Sequence, residues 1–117
     1  MSLDKFMNCT YDRINYNCGH FACDVWKDIT GEDISSKMTP LIECIDVKTM
    51  PIRAKNQFIK LDKKESPCLV LMRSITMTLH IGVYYNGNVI HLRNDHVTEN
   101  LPFAIATRLY KRLGFYK

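Results

Sequence analysis

A chain of 117 residues is long enough to bury a core and too short to carry a separate binding module, so the sequence reads as one domain over residues 1–117. Its 46% hydrophobic share suits an ordinary globular protein, and no apolar run approaches the roughly 20 residues that a membrane helix needs. The net charge of +4 is too mild for a nucleic-acid footprint, and no aromatics interleave with the basic residues as a stacking platform requires.

Asp4 and Lys5 come too early for a secretory h-region, so a soluble protein made in the cytoplasm is expected. The first strong element follows Asn17. Phe21, Ala22, Val25, Trp26 and Ile29 recur at helical spacing and Gly31 is a stop signal, which places Cys18 in the first helical turn. Unpaired backbone N–H groups and the positive end of the helix dipole favour a thiolate there, the nucleophilic form of cysteine. Trp26 belongs to the buried stripe. The five cysteines, Cys9, Cys18, Cys23, Cys44 and Cys68, are odd in number and form no C-x-x-C pair, which argues against a disulfide framework and a zinc ribbon. Cys23, Cys44 and Cys68 read as core. Cys18, His20 and Cys23 make a poor metal site, because His20 points away from the other two on a helix and no fourth ligand is evident. No metal and no cofactor is expected.

Residues 35–60 form a mixed segment, broken by Pro40 and Pro51, with space for one or two short helices. The charged run 62–65 and Pro67 mark a turn, and residues 68–72 read as a short buried strand. The alternation over residues 76–79 leads into the next strand. Residues 80–85 and 88–92 then flank Asn86-Gly87, the strongest short hairpin signal. A two-residue loop sets Tyr85 opposite Asn88, Tyr84 opposite Val89, Gly82 opposite His91 and His80 opposite Arg93. His80 and His91 therefore project from one side as diagonal neighbours, with backbones about 7–8 Å apart. Gly82 is expected to leave open space beside His80. His20 and His96 read as structural or surface residues, and Arg108, Lys111, Arg112 and Lys117 as a solvated helix face.

These pieces assemble into a catalytic pattern: Cys18 as nucleophile at a helix start, His80 on a strand as base, and His91 on the adjacent strand as the group that holds His80. A cysteine attacking an acyl carbon needs an imidazole to take its proton and later to protonate the leaving amine. That imidazole must be fixed in one tautomer by a third polar group. The Cys18 backbone N–H is a natural half of an oxyanion hole.

With these residues the chain resembles the NlpC-type cysteine peptidases, which have a reduced papain-like fold. Asn17-Cys18-Gly19-His20-Phe21 is similar to the family's Asp-Cys-Ser-Gly-Phe, and His80-Ile81-Gly82-Val83-Tyr84 to its His-Val-Gly-Ile-Tyr. His91 falls where the family has a third polar residue on the next strand. Residues 67–72, with Arg108-Leu109-Tyr110 and Gly114-Phe115-Tyr116, particularly resemble compact phage-encoded members. The resemblance implies an α+β fold in which an N-terminal helix bearing the cysteine packs on an antiparallel sheet. It also implies hydrolysis of an amide in peptidoglycan stem peptides, of the D-γ-glutamyl–diamino acid type, with no cofactor. For a phage protein it implies association with the virion and its tail proteins. Gly19 and a tyrosine matching either Tyr11 or Tyr16 are the further candidates for substrate or oxyanion contacts. The chain departs from the pattern in two ways: Gly19-His20 replaces Ser-Gly, and the Gly-Asp that precedes the central strand is absent. Asn-Cys-x-His-Phe is also similar to the nucleophile motif of the lecithin retinol acyltransferase group, but there the catalytic histidine precedes the cysteine. The alternatives are a papain-like acyltransferase or amidase, a toxin of this fold, and a non-catalytic tail or assembly protein.

Overall fold

The computed structural model describes residues 4–45, 54, 56–75 and 78–117. The protein is α+β. A short 3-10 turn at Asp4–Phe6 precedes helices α1 (Cys18–Thr30) and α2 (Ser35–Ile42). Strands β1 (Lys60–Leu61), β2 (Cys68–Arg73), β3 (Leu79–Tyr85), β4 (Asn88–Leu92) and β5 (Thr98–Pro102) follow. Helix α3 (Phe103–Leu109) and strand β6 (Arg112–Tyr116) complete the chain. The six strands form one sheet in the order β1-β6-β2-β3-β4-β5, every pair antiparallel. No helix among the described residues is long and apolar enough to cross a membrane.

Helix α1 starts and stops where its residues dictate. Asn17 is the N-cap: its Oδ1 accepts the Gly19 N–H at 2.9 Å, while Nδ1 of His20 accepts the Asn17 N–H at 2.9 Å. The Asn17 side chain also accepts the His20 backbone N–H, which makes a reciprocal capping box with histidine in place of the usual Glu or Gln. At the other end Gly31 adopts φ 79°, a left-handed conformation open to glycine, and its N–H reaches the Lys27 carbonyl at 2.8 Å. Between the caps Phe21, Ala22, Val25 and Trp26 are buried, and the Trp26 indole N–H donates to Glu32 at 2.9 Å.

The sheet is covered on both faces, and strand alternation sorts the residues between them. Leu69, Leu71, Leu79, Ile81, Val83, Ile90 and Leu92 join Phe21, Val25 and Trp26 in the main core. Val70, Met72 and Val89 face the other way, into a smaller cluster with Ala106 of α3, Tyr84, Phe103, Tyr110, Leu113 and Phe115. The hairpin forms at Asn86 and Gly87, both at positive φ (50° and 86°), as a two-residue turn of the type I′ kind requires. Its register runs Tyr85–Asn88, Tyr84–Val89, Val83–Ile90. The first two pairs match the sequence expectation. The β3–β4 ladder ends at the third, while β4 stays paired with β5 as far as Leu92–Thr98.

Three further sequence expectations fare differently. Residues 35–42 form a short helix, whereas Pro51 and most of the segment around it lie outside the described residues, as do Thr76 and Met77. The basic C-terminus is not one helix face: α3 ends at Leu109, and Arg112–Tyr116 is a strand between β1 and β2. Period-two alternation explains it, with Leu113 and Phe115 in the small cluster and Tyr116 in the main core. Gly82 leaves no open space. A Cβ there would meet Met72 Cε and Val89 Cγ1 at 3.0 Å and the Ile90 carbonyl oxygen at 3.1 Å, so glycine allows close packing at this point.

Candidate active site

The two strand histidines meet. Nε2 of His80 lies 2.6 Å from Nδ1 of His91, with ring centroids 4.8 Å apart and planes at 78°. Alternation explains the contact: Met72 is the β2 partner of His80, and Val89 lies two residues before His91, so both imidazoles point away from the body of α1. They sit beyond the last β3–β4 pair, where the side chains bridge the two strands. His91 is fully buried and His80 half-buried.

Tyr110, immediately after α3, closes over the pair. Its ring stacks on His80 at 5.7 Å and 13° and meets His91 edge-on at 5.9 Å and 81°. Burial and then the Glu99 carboxylate push the Tyr110 phenol up to about 12, and Cys18 lies close enough to add to that shift. Burial lowers the His80 imidazole to about 4. His91 is lowered to about 3 by burial first, then by His80 and by Arg93. Both rings are therefore neutral at pH 7, the form in which an imidazole accepts a proton.

A cleft of about 150 Å³ opens beside this cluster, lined by Ser74, Thr78, His80, Arg93, Asn94 and Tyr110. Its hydroxyls, amide and guanidinium suit a polar ligand. A larger depression of about 410 Å³, lined by Lys5, Phe6, Asp24, Lys27 and Asp28, lies against the outer side of α1 and holds neither a nucleophile nor an imidazole.

Cys18 is the first residue of α1 and is fully buried; it belongs to the main core and does not line the small cleft. The structure brings it within electrostatic range of Tyr110, the residue stacked on His80. The Gly19 N–H is already donated to Asn17 Oδ1. Asn17, itself almost fully buried, also donates from Nδ2 to the carbonyls of Arg13 at 2.9 Å and Ile42 at 3.2 Å. The end of α2 is thereby tied over the start of α1. Tyr16 turns to the outer side of α1, where its hydroxyl donates to Asp24 Oδ2 at 2.5 Å and its ring stacks on His20 at 5.9 Å. Burial and Asp24 raise its phenol pKa. Tyr11 is held against the β4–β5 connection, its N–H donating to His96 Nδ1 at 3.0 Å. His20 and His96 thus both accept backbone N–H groups.

No protein-family model matches the chain, and no curated protein matches it. The chemistry rests on the site's own residues. Two of those residues carry no sequence signal of their own. Tyr110 reaches the histidines only because α3 and β6 return the chain to β2, and Glu99 reaches His91 only through the β4–β5 register. Among the described residues no group of three or more His, Cys, Asp or Glu side chains is arranged to hold a metal ion.

Proposed function

We propose that this protein is a cysteine peptidase with a reduced papain-like fold of the NlpC type, hydrolysing an amide bond in peptidoglycan stem peptides. The observation that supports it most is the 2.6 Å contact between His80 Nε2 and His91 Nδ1. It leaves the second nitrogen of His80, Nδ1, to serve a nucleophile, while a buried third residue holds the ring. Cys18 is the nucleophile. His80 takes its proton, the thiolate attacks the amide carbon, and the Cys18 backbone N–H at the start of α1 helps to hold the tetrahedral oxyanion. Collapse of that intermediate breaks the C–N bond, and the proton on His80 goes to the departing amine. Water then attacks the thioester, with His80 again as base, and releases the acid and the free thiol. The polar cleft beside His80 suits a short peptide bearing carboxylates and amides. Action during cell-wall entry, in association with phage tail proteins, follows from the resemblance of the motifs.

A second reading, a non-catalytic tail or assembly protein, is favoured by one observation: Cys18 is 0% exposed. One experiment separates the two. Defined stem peptides are incubated with the protein and with Cys18→Ala, and the products are read by mass spectrometry. Cleavage at a single amide bond that the variant abolishes is the expected result. A folded protein that cleaves none of them, and whose Cys18 resists a thiol alkylator that labels half-exposed Cys9, belongs to the second reading.

A further inference from the structure

We propose that Glu99 is a positioning residue: its carboxylate fixes the tautomer of His91, and through it that of His80, leaving His80 Nδ1 as the proton acceptor. The catalytic consequence rests on reading Cys18 and His80 as nucleophile and base; the tautomers themselves do not.

His91 has no exposed surface, its Nδ1 is engaged by His80, and its Nε2 is buried with no well-formed hydrogen bond to any of the described residues. Buried polar atoms of this kind call for an explanation. Directly opposite His91 on β5 stands Glu99, whose Oε1 lies 3.3 Å from that Nε2, just short of a well-formed hydrogen bond. The same oxygen lies 3.6 Å from Nη1 of Arg93, whose Nη2 is bound by Asp95. An ionised carboxylate only accepts hydrogen bonds.

The rest follows ring by ring. A carboxylate facing His91 Nε2 is favourable only when that nitrogen carries the hydrogen, since a lone pair there would oppose the oxygen's own. His91 Nδ1 is then a lone pair, so the contact with His80 requires a hydrogen on His80 Nε2. A neutral imidazole has one N–H, and His80 Nδ1 is left as the acceptor. The opposite order, with the hydrogen on His91 Nδ1, would place one on His80 Nδ1 and remove the base. Tyr110 packs against both rings and leaves this order intact, because it stacks on one and meets the other edge-on.

The test is a long-range proton–nitrogen correlation spectrum of the full chain labelled with nitrogen-15, at pH 7. The four histidines include two internal references: His20 and His96 each accept a backbone N–H at Nδ1 and must carry hydrogen on Nε2. The expected spectrum shows His91 and His80 each as a single Nε2–H tautomer. In Glu99→Gln, whose amide donates as well as accepts, both shift toward Nδ1–H while His20 and His96 stay unchanged. Hydrogen on Nδ1 of His91 in the unaltered protein overturns the inference, and that arm needs no variant to fold. A folded Glu99→Gln with unmoved tautomers overturns it equally. Where stem-peptide cleavage is present, Glu99→Gln lowers kcat about tenfold or more at little-changed KM. Its complete absence alongside the expected tautomers removes the peptidase reading and leaves the role of Glu99 in the tautomers intact.

Discussion

The first turn of α1 has no room for a side chain after Cys18. A Cβ on Gly19 would lie 2.6 Å from Cγ1 of Ile42 and 3.1 Å from Oδ1 of Asn17, closer than packed atoms tolerate. Two effects oppose each other in Gly19→Ala. Alanine in a helix gains up to about 1 kcal/mol over glycine, whereas forcing an atom into a filled site costs about 1–3 kcal/mol. Ile42 cannot easily yield, because its carbonyl is held by Asn17 Nδ2 and the α-carbon of Ile42 itself lies 3.5 Å from the new atom. The clash therefore wins, and Gly19→Ala is expected to lower unfolding stability by roughly 1–2 kcal/mol, read as a lower urea midpoint at unchanged slope. A midpoint that rises would mean that α2 is free to move off the start of α1.

At the scale of elements, the Asn-Cys-Gly-His run has a structural role of its own. Asn17 and His20 make the capping box, and Asn17 further ties the start of α1 to Arg13 and to the end of α2. Asn17→Ala removes the cap acceptor for the Gly19 and His20 N–H groups and two donated hydrogen bonds at a buried position. It should cost about 2 kcal/mol or more, at or above the upper end of ordinary cap losses. His20→Ala, at a less buried site and with one bond lost, should cost about 1 kcal/mol. Equal effects in thermal unfolding would show that the links to Arg13 and Ile42 contribute nothing. The start of α1 and the β3–β4 hairpin were legible in the sequence because their signals are local: a cap before an apolar stripe, and Asn-Gly between two β-rich runs. The meeting of His80 with His91 was legible for the same reason, since a two-residue turn fixes which side chains share a face. Strand β6 was hidden behind basic residues at helix-compatible spacing, although Leu113, Phe115 and Tyr116 carry the strand alternation. Tyr110 and Glu99 were not legible, because non-local strand pairing places them.

For the molecule as a whole, the histidine pair makes folding depend on pH. Burial holds His80 at about 4 and His91 at about 3, against an ordinary 6.5 in the unfolded chain. Between those values the unfolded state binds protons that the folded state refuses, so stability rises with pH across that interval and falls as the solution is acidified from 6.5 toward 4. The slope approaches about 1.4 kcal/mol per pH unit for each histidine fully protonated only in the unfolded chain. Two carboxylates whose pKa values are also shifted on folding do not mask the effect between pH 7 and 4.5. Asp12 is held below its usual 3.8 by backbone N–H groups of Asn15 and Ile14, and Asp33 by the hydroxyl and N–H of Ser35. Their contributions are fully present above 3.8 and disappear only as pH falls through their lower folded values, so they stay constant from pH 7 to 4.5. Urea unfolding at pH 7, 6, 5 and 4.5 should therefore show a steady loss of stability. His91→Asn should be less stable at pH 7 and lose less on acidification, because one of the two proton-refusing sites is gone. A profile flat from pH 7 to 5 would mean that water reaches both imidazoles in the folded protein. The same burial that makes the fold acid-sensitive keeps His80 neutral at pH 7, so the cost in acid stability and the charge state of the ring have one cause.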